Sequence, residues 1–552
     1  MKNNNKFRLD AWGGITLLML GFYGLFLLFP LANLTAMAFT STETGRFSFE
    51  HFIRFFSKPY YSSTLSNSFK VSIAATATSL LAGVPLAYFL TVYKIKGKKL
   101  LSILIIISSM SAPFVGAYSW ILLLGRNGVI TKFFGSLLGI QMPDIYGFGG
   151  ILLVFTTQLY SLIFLYVQGA LRKVDNSLME ASANMGRTGF RRFFTVVLPL
   201  IMPTVLAAAL MVFMCALSDF GTPMLIGEGY RTFPVILYSE FIGEVSKNKG
   251  FASAIAIIAL AITTVVFLIQ KYVGTKKAFS MNSLHPIEEK ELKGAAKIIV
   301  HAICYLVVGI SILPQVYVTY TSFLKTKGVT FVKGYSFDSY VKMVDRLGNS
   351  IRNTLIIPVV ALACVVLIAV LMAYVTVRRR NLVTNTVDVI SMIPYVIPGT
   401  VVGIAMLTAF NTRPILLSGT MTIMVIALII RRLPYTTRSS VAILQQIPIS
   451  IEEAALSLGS SKIKTFFRIT VPMMASGVLA GAILSWVTMI SELSTAIILY
   501  TGKTQTLTVA VYTQIIRGNY GIAAAMATVL TVLTVASLLI FNRLSNGKEI
   551  TM

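Results

Sequence analysis

Two acidic residues lie within long apolar runs of this sequence, in closely similar surroundings. Asp219 in CALSDFGTP and Glu492 in TMISELSTA are 273 positions apart, and a serine precedes each of them. A charged side chain at the centre of a lipid bilayer costs about 2.5–3.5 kcal/mol on insertion scales, so such residues usually face a bundle interior or water. Two roles are therefore open. Each carboxylate is bonded to neighbouring backbone or hydroxyl groups and steadies a gate, or the pair lines a pathway and contacts its substrate.

The other residues that could bind metals or nucleotides have no spacing that supports such a site. The cysteines are predicted to be small buried hydrophobic residues within apolar segments, and the histidines are scattered: Cys215, Cys304, Cys364, His51, His285 and His301. Gly502-Lys503-Thr504 ends like a phosphate-binding loop, but Ile497 stands where such a loop needs its first glycine. We therefore predict no metal site, no cofactor, no nucleotide site and no enzyme activity.

The composition is that of a membrane protein. Of the 552 residues, 56% are hydrophobic and 12% are charged, and the mean hydropathy is +0.79, outside the range of ordinary soluble domains. The net charge of +27 does not indicate nucleic-acid binding, because the basic residues lie in short loops between apolar segments. These segments are long unbroken runs, which favour helices over the alternating strands of a barrel.

About twelve of the apolar segments are long enough to cross a bilayer, which takes roughly 20 residues. They lie near 12–38, 66–93, 100–124, 147–171, 200–222, 251–272, 296–322, 350–377, 385–410, 418–437, 473–495 and 521–542. The first is too long for a secretory signal and lacks a small-residue cleavage site, so we predict that it is retained. The sequence thus predicts an all-α polytopic membrane protein.

The loops predict the orientation of these helices. With a cytoplasmic N-terminus, most basic residues, including KIKGKK (94–99), RRR (378–380), Arg431 and Arg432, are cytoplasmic, as the positive-inside rule requires. Both termini are then cytoplasmic. One external segment, 323–349, departs from the rule because it carries five basic residues: Lys325, Lys327, Lys333, Lys342 and Arg346.

The chain is predicted to be an internal duplication. SNSFKVSIAATATSLLAGVPLAYFLTVY (66–93) matches the pattern of 348–378, with Asn67 corresponding to Asn353, and SAPFVGAY matches VIPGTVVG. The first half carries an extra loop at 125–148. We divide the chain into a first six-helix half at 1–275, a cytoplasmic linker at 276–295 and a second six-helix half at 296–552. Because each half has an even number of spans, the two repeats are parallel, with a pseudo-two-fold axis along the membrane normal and a pathway between them.

A polar helical stretch occurs once in each half, with its register intact. These stretches read EASANMGRTGFRRFFTVVLP (180–199) and EAALSLGSSKIKTFFRITVP (453–472). The spacing of Ser177 and Glu180, and of Ser450 and Glu453, is that of a capping box, which predicts a helix start at each serine. We call residues 177–199 the first elbow and residues 450–472 the second elbow.

Each elbow is predicted to be a short helix, a turn and a second helix. Gly186 or Gly459 supplies a left-handed residue at the turn, and the second helix ends before Pro199 or Pro472. A single copy could be a plain loop between two spans. Two copies at the same place in each half favour a structure to which a partner with two-fold symmetry binds at both elbows.

The elbows resemble the signature of the integral membrane subunits of binding-protein-dependent ABC importers: E-A-A, three residues, glycine, nine residues, a hydrophobic position, one residue and an apolar-Pro pair. The matching residues are Glu180, Ala181, Ser182, Gly186 and Pro199 in the first elbow, and Glu453, Ala454, Ala455, Gly459 and Pro472 in the second. Ser182 in place of alanine is the one departure in the three-letter core. The resemblance covers essentially the whole chain.

The resemblance implies a set of partners and a location. Each elbow would be a coupling helix that docks on one of two copies of a cytoplasmic ATPase subunit, which uses the ATP. A separate extracytoplasmic substrate-binding protein would deliver the solute, and the location would be the bacterial inner membrane. A gradient-driven secondary transporter is the alternative class, and it would need no partner ATPase.

The substrate is less clearly marked. The fused form, the first-half insertion and the SDFGTP and SELSTA pair are similar to those of the ferric-iron importer permeases. Related permeases for thiamine and 2-aminoethylphosphonate share much of this layout. We expect ferric iron, with those two solutes or another small solute as the alternative.

Overall fold

The computed structural model describes residues 10–110, 112–243, 249–276, 285 and 287–544, which are mostly helical. The helices of the first half are α1 (Ala11–Tyr23), α2 (Phe29–Ala38), α3 (Glu50–Ser57), α4 (Pro59–Val92), α5 (Lys98–Met110), α6 (Pro113–Leu124), α7 (Val129–Leu138), α8 (Phe148–Leu171), α9 (Asn176–Asn184), α10 (Gly189–Arg192), α11 (Leu198–Ser218), α12 (Gly221–Ile226), α13 (Phe233–Ile242) and α14 (Lys249–Lys276). Two five-residue π-helical turns, Gly24–Leu28 and Phe193–Val197, join α1 to α2 and α10 to α11.

The second half repeats this order and adds a small hairpin. Its elements are α15 (Gly294–Ser322), β1 (Leu324–Lys327), β2 (Thr330–Tyr335), α16 (Asp338–Arg378), α17 (Leu382–Val396), α18 (Gly399–Ala409), α19 (Met421–Gln446), α20 (Ile449–Ser457), α21 (Lys462–Thr465), α22 (Val471–Ile490), α23 (Ala496–Leu499), α24 (Leu507–Ile516) and α25 (Tyr520–Leu544). A third π-helical turn, Phe466–Thr470, joins α21 to α22, and β1 pairs antiparallel with β2.

Ten helices or joined helices of the described residues are long and apolar enough to cross a membrane, and the bent pair α17–α18 raises this number to eleven. One further predicted span, near 418–437, is α19. It is long enough at 26 residues, but it carries Arg431, Arg432 and Arg438. The predicted span near 100–124 also differs, because the apolar span there runs from α6 through α7, over 114–138.

Matching contacts in the two halves support the predicted correspondence of Asn67 and Asn353. The Asn67 side-chain amide donates to the Arg231 carbonyl at 3.1 Å, and that of Asn353 donates to the Lys503 carbonyl at 2.9 Å. The next residue of each half accepts a backbone N–H: Ser68 from Phe233 at 2.7 Å and Thr354 from Leu507 at 2.6 Å. The duplication therefore reaches the level of individual hydrogen bonds.

The first helix of each half packs against the other half. Trp12 of α1 lies in a buried cluster with Tyr374 and Phe466 of the second half, with ring centroids 4.3 and 5.0 Å away. In return, Cys304 and Val308 of α15 are buried in a first-half cluster, and Ser311 bonds the Tyr160 hydroxyl at 2.7 Å. The buried apolar surface thus joins the halves into one body.

The predicted linker at 276–295 coincides with the gap between α14 and α15. Residues 277–284 and 286 lie outside the described part of the chain. Residues 287–293 run along the first half, where the Lys290 N–H donates to the Val92 carbonyl at 2.8 Å and the Lys94 N–H donates to the Lys290 carbonyl at 3.1 Å.

Candidate functional site

The first elbow starts at an aspartate cap. The Asp175 carboxylate accepts the Ser177 N–H at 2.9 Å, and α9 already includes Ser177. The predicted capping box of Ser177 and Glu180 is therefore wrong. The Asp175 side chain accepts a free N–H at the helix start, and an acidic residue there interacts favourably with the positive end of the helix dipole. Asp175 therefore occupies the cap position, and Ser177 lies in the first turn of the helix. Glu180 instead accepts the Asn176 side-chain amide at 2.8 Å.

The second elbow starts after a proline, and its predicted capping box of Ser450 and Glu453 is wrong as well. Pro448 is the N-cap of α20, which already includes Ser450. The anchor of this elbow is the neighbouring residue, Glu452, which is buried. Its carboxylate accepts the Arg378 Nε at 2.9 Å and the Tyr374 hydroxyl at 3.2 Å.

The glycine turns form as predicted. Gly186 has a φ of 74° and Gly459 has a φ of 84°, in the left-handed region where glycine carries no steric cost. Among the side chains whose exposure the structure describes, the residue before each glycine is the most exposed apolar one of its elbow: Met185 is 73% exposed and Leu458 is 89% exposed. Each elbow therefore presents an apolar knob at its corner.

The second helix of each elbow does not end before its proline, which corrects the prediction. A π-helical turn precedes it, so that the Leu198 N–H bonds the Phe193 carbonyl and the Val471 N–H bonds the Phe466 carbonyl. The wider turn gives the rings of Pro199 and Pro472 room beside the preceding carbonyls. It also accommodates the absence of an N–H donor at each proline. The elbow is consequently continuous with the long helices α11 and α22.

An aromatic contact fixes each π-helical turn to its half. The Phe193 ring lies 4.7 Å from Tyr88, and the Phe466 ring lies 4.8 Å from Tyr374. Tyr88 and Tyr374 lie near the ends of the long helices α4 and α16. Each elbow therefore contacts one long helix of its half through this ring pair and is continuous with another, α11 or α22.

The signature residues divide into an exposed pair and a buried third position. Glu180, Ala181, Glu453 and Ala454 are exposed, whereas Ser182 and Ala455 are buried. The Ser182 hydroxyl donates to the Arg187 carbonyl at 3.2 Å and closes the turn of the first elbow. The serine thus replaces alanine without a change in packing, and the exposed pair remains free for a partner.

The linker contacts the first elbow. The Asn176 N–H donates to the His285 carbonyl at 2.9 Å, and the His285 N–H donates to the Asp175 carboxylate at 3.2 Å. Lys94 and Lys98 pair with Glu291 and Glu289. These contacts place the cap of α9 beside the start of α15, which belongs to the second half.

Asp219 and Glu492, the two carboxylates predicted to steady a gate or to line a pathway, have different surroundings. Asp219 is half-buried, follows the last residue of α11 and accepts the Thr222 N–H at 3.0 Å. Glu492 is buried, accepts the Thr495 N–H at 3.0 Å and forms ion pairs with both Arg431 and Arg432. Both carboxylates thus bond a backbone N–H three residues ahead, but only Glu492 is paired with arginines among the described residues.

The predicted cytoplasmic position of Arg431 and Arg432 is wrong. Both arginines lie within α19, and the Arg432 guanidinium also donates to the Thr488 carbonyl at 3.1 Å. The positive-inside rule assigned them to a loop because it counts charges and does not consider a buried partner. The adjacent arginines in the apolar run IMVIALIIRRLP were the sequence signal for an intramembrane ion pair.

The arginine pair lies at the break between α17 and α18, which bend by 111°. The Thr495 hydroxyl accepts from Arg431 at 2.9 Å and donates to the Gly399 carbonyl at 3.1 Å. A Cβ at Gly399 would lie 2.6 Å from the Arg431 guanidinium, so glycine is needed for this approach. Thr495 therefore links the charged cluster to the first residue of α18.

The two carboxylate turns meet at the seam between the halves. A Cβ at Gly221 would lie 2.9 Å from the Phe114 side chain and 3.1 Å from that of Leu493. Gly221 is two residues after Asp219, and Leu493 directly follows Glu492. The absence of a side chain at Gly221 therefore allows close packing of the two turns.

A cavity of about 840 Å³ lies between α14 of the first half and α17 and α19 of the second. It extends from Lys271 and Asp388, near the elbow ends of α14 and α17, to Tyr395 and Tyr435 beside the break. Arg438 also lines it and pairs with Asp388 at 3.0 Å. The cavity therefore lies between the elbow ends of α14 and α17 and the break between α17 and α18.

The cysteines are only partly as predicted. Cys304 is buried and Cys364 is half-buried, but Cys215 is exposed. Cys215 precedes Asp219 by one turn of α11 and shares its face, which is not covered at this level. No group of three or more His, Cys, Asp and Glu side chains in the described residues could hold a metal ion. Gly502-Lys503-Thr504 is a tight turn in which the Thr504 hydroxyl accepts the Thr501 N–H at 2.9 Å.

Two homologous helix sets around a charged seam, each with an elbow, define a duplicated polytopic membrane transport protein. The chain matches the family of binding-protein-dependent transport system inner membrane components twice, at residues 79–278 and 365–549. It therefore belongs to that family. It is the multi-pass inner-membrane permease of an ABC importer, a class that works with an ATPase and a substrate-binding partner.

Its relatives include several importer permeases. The ferric transport system permease protein FbpB of Actinobacillus pleuropneumoniae is 26% identical over 98% of this chain and 79% of its own length. An Fe(3+)-transport system permease of Haemophilus influenzae is 22% identical over 86% of this chain and 88% of its own length. A protein named for 2-aminoethylphosphonate transport in Salmonella typhi is 23% identical over 45% of this chain and 86% of its own length.

Proposed function

We propose that this chain provides the translocation pathway of an ATP-driven ferric-iron importer. The observation that supports ferric iron as the substrate is the similarity to a ferric permease over 98% of the chain. The same importer class with 2-aminoethylphosphonate as the solute is the second candidate, since a relative named for that solute matches 45% of the chain.

In this proposal each elbow docks on one copy of a cytoplasmic ATPase subunit, so that two copies bind one chain. The exposed knobs Met185 and Leu458 and the exposed pairs Glu180-Ala181 and Glu453-Ala454 support this role, because they are equivalent surfaces in the two halves. The elbows and both termini are then cytoplasmic, and ATP is used only by the partner subunits.

The pathway in this proposal runs through the cavity to the seam of Asp219 and Glu492. The supporting observation is that the buried cluster of Glu492, Arg431 and Arg432 adjoins that cavity, because the ring of Tyr435, which lines the cavity, lies 5.8 Å from the Arg432 guanidinium. Glu492 holds the gate closed through its arginines, and Asp219 contacts the solute.

Reconstitution in nanodiscs tests this function. The chain is combined with the ATPase and the substrate-binding protein encoded beside its gene, and ATP hydrolysis is measured with the binding protein loaded with ferric iron or with 2-aminoethylphosphonate. Stimulation by the ferric form alone supports the ferric assignment, and stimulation by the phosphonate form alone supports the second candidate. Uptake without a bound ATPase would contradict the importer mechanism and indicate a gradient-driven transporter.

A further inference from the structure

A basic surface lies on the face opposite the elbows. It consists of Lys325, Lys327, Lys333, Lys342 and Arg346, which are all exposed, and we call these residues the hairpin patch. Helix α15 starts beside the linker that contacts the first elbow and spans 29 residues to Ser322, directly before β1. The hairpin patch is therefore separated from the elbows by the full length of a membrane-crossing helix.

The cations of the hairpin patch have no ion-pair partner among the residues that the structure describes. Two arginines of the first half, by contrast, have partners. Arg126 pairs with Asp144 at 2.8 Å and with Glu228 at 2.9 Å, and Arg54 lies 4.4 Å from the Phe251 ring centroid. Segment 323–349 also carries Asp338 and Asp345, so its five basic and two acidic residues leave a formal net charge of +3 on this part of the second half.

Exposed apolar side chains accompany this charge. Tyr335 is 70% exposed, Phe337 is 69% exposed and Val329, at the hairpin turn, is 58% exposed. Aromatic anchors beside a charged rim are typical of protein-protein interfaces. Charges on a rim mainly set the rate and orientation of association with a partner of opposite charge.

The hairpin is held in place over the seam between the halves. A Cβ at Gly518 would lie 2.8 Å from Val329, and the Ser322 hydroxyl bonds that of Tyr340 at 2.7 Å. The segment under the hairpin continues into α25, where the Tyr520 carbonyl accepts the Tyr118 hydroxyl of the first half at 2.7 Å. This position above the seam favours a protein partner over the lipid at the periphery.

We propose that the hairpin patch is the docking surface for an acidic face of the extracytoplasmic substrate-binding protein. The proposal rests on the proposed importer function and adds where the partner binds and which charge it presents. It also explains why segment 323–349 departs from the positive-inside rule: its lysines serve a partner on the outer face. Because the hairpin lies over the seam, docking there orients the binding protein over the proposed pathway.

The test is a charge reversal in the complete complex. K325E/K327E/K333E is reconstituted with the ATPase and titrated with the substrate-binding protein encoded beside the gene, while ATP hydrolysis is measured. We expect the half-stimulating concentration of binding protein to rise about tenfold or more at low salt, with a weaker dependence on salt than in the parent complex. Hydrolysis without the binding protein should be unchanged, because the patch is remote from the elbows.

The matched control is K58E/K132E/K503E, which reverses three exposed lysines outside the hairpin patch. Its half-stimulating concentration should stay within about twofold of the parent value. Equal effects of the two triple variants would overturn the proposal. So would an effect of the hairpin variant that is present in nanodiscs of anionic phosphatidylglycerol and vanishes in neutral phosphatidylcholine, since that would identify lipid as the ligand.

The same experiment separates this proposal from the importer function on which it rests. If no ATPase binds the chain, the importer function fails and the docking proposal fails with it. If the ATPase binds and responds to the binding protein, but the hairpin variant titrates like the parent, the docking proposal alone is wrong.

Discussion

At the scale of single residues, the two carboxylates of the seam differ in burial and in bonding partners. Glu492 is buried between two arginines, and its carboxylate compensates charges that would otherwise be buried alone. Asp219 is half-buried and bonds one backbone N–H. Glu492 therefore has a structural role that depends on its charge. Asp219 keeps carboxylate oxygens that can accept bonds from a solute.

Glu492→Gln is expected to lower the free energy of unfolding by about 3–5 kcal/mol, because removal of one partner leaves two buried guanidinium groups without compensation. Thermal unfolding of the purified chain in detergent measures this loss. Asp219→Asn is the comparison variant and should cost about 0.5–1.5 kcal/mol, the value of one hydrogen bond. Equal destabilisation by the two variants would contradict the assignment of Glu492 as the structural member.

Asp219→Asn is expected to lower solute uptake about tenfold or more, since an interaction with a charged group is worth about 1.5–3 kcal/mol. Uptake into proteoliposomes that contain the ATPase and the binding protein measures the effect. Cys215→Ala, one turn away on the same face of α11, is the control and should retain uptake. If Asp219→Asn transports like the parent, Asp219 does not contact the solute.

Repetition in the sequence identified matching positions in the two halves, but it did not identify the partners of each side chain. Asp219 and Glu492 were identified from their shared spacing, and their matching N–H contacts agree with it. Arg431 and Arg432 were missed, because only the fold brings α19 beside the end of α22. The first-half positions 273 residues earlier are Gln158 and Leu159, so the duplication carries no sign of this ion pair.

At the scale of elements, each elbow is a rigid connector with an exposed corner. Its inner side is fixed by Ser182 or Ala455 and by the edge-to-face ring pairs Phe193–Tyr88 and Phe466–Tyr374. The π-helical turns explain how a helix continues through the proline at which sequence rules end it. Glycine turns could be predicted because the requirement is local, whereas the caps could not, because Asp175 and Pro448 stand just before the apparent serine caps.

Leu458→Asp, combined with Met185→Asp, is expected to abolish binding of the ATPase while the chain itself remains folded. Both side chains are exposed, at 89% and 73%, so their loss removes an interface anchor and costs the isolated chain little. Co-purification of the ATPase and the melting temperature of the chain measure the two effects.

The control for the elbow variant is Leu382→Asp, which changes another strongly exposed leucine, 84% exposed at the start of α17. It should bind the ATPase like the parent. If the double elbow variant also retains the ATPase, the corners of the elbows are not the docking points.

At the scale of the whole molecule, the halves are interlocked by exchanged helices. Helix α1 buries Trp12 in the second half, and α15 buries Cys304 and Val308 in the first. The linker adds contacts near the first elbow that have no counterpart at the second among the described residues, and there Glu452 and Arg378 provide the anchor. The duplicated chain is therefore two-fold in its core and asymmetric at its surfaces, in the linker and in the hairpin patch.

Because the exchanged helices hold the halves together by burial, the covalent linker should be dispensable for assembly. Residues 1–280 and 281–552, expressed together as separate chains, are expected to co-purify at equal amounts and to retain ATPase-driven uptake within about threefold of the fused chain, since each half keeps the helix that packs against the other. Size-exclusion chromatography and proteoliposome uptake measure both properties. Each half expressed alone is the control and should be aggregated, because it exposes the apolar surface that the exchanged helix of its partner covers. Separate recovery of two folded halves would show instead that the linker, and not the exchange of α1 and α15, maintains the assembly.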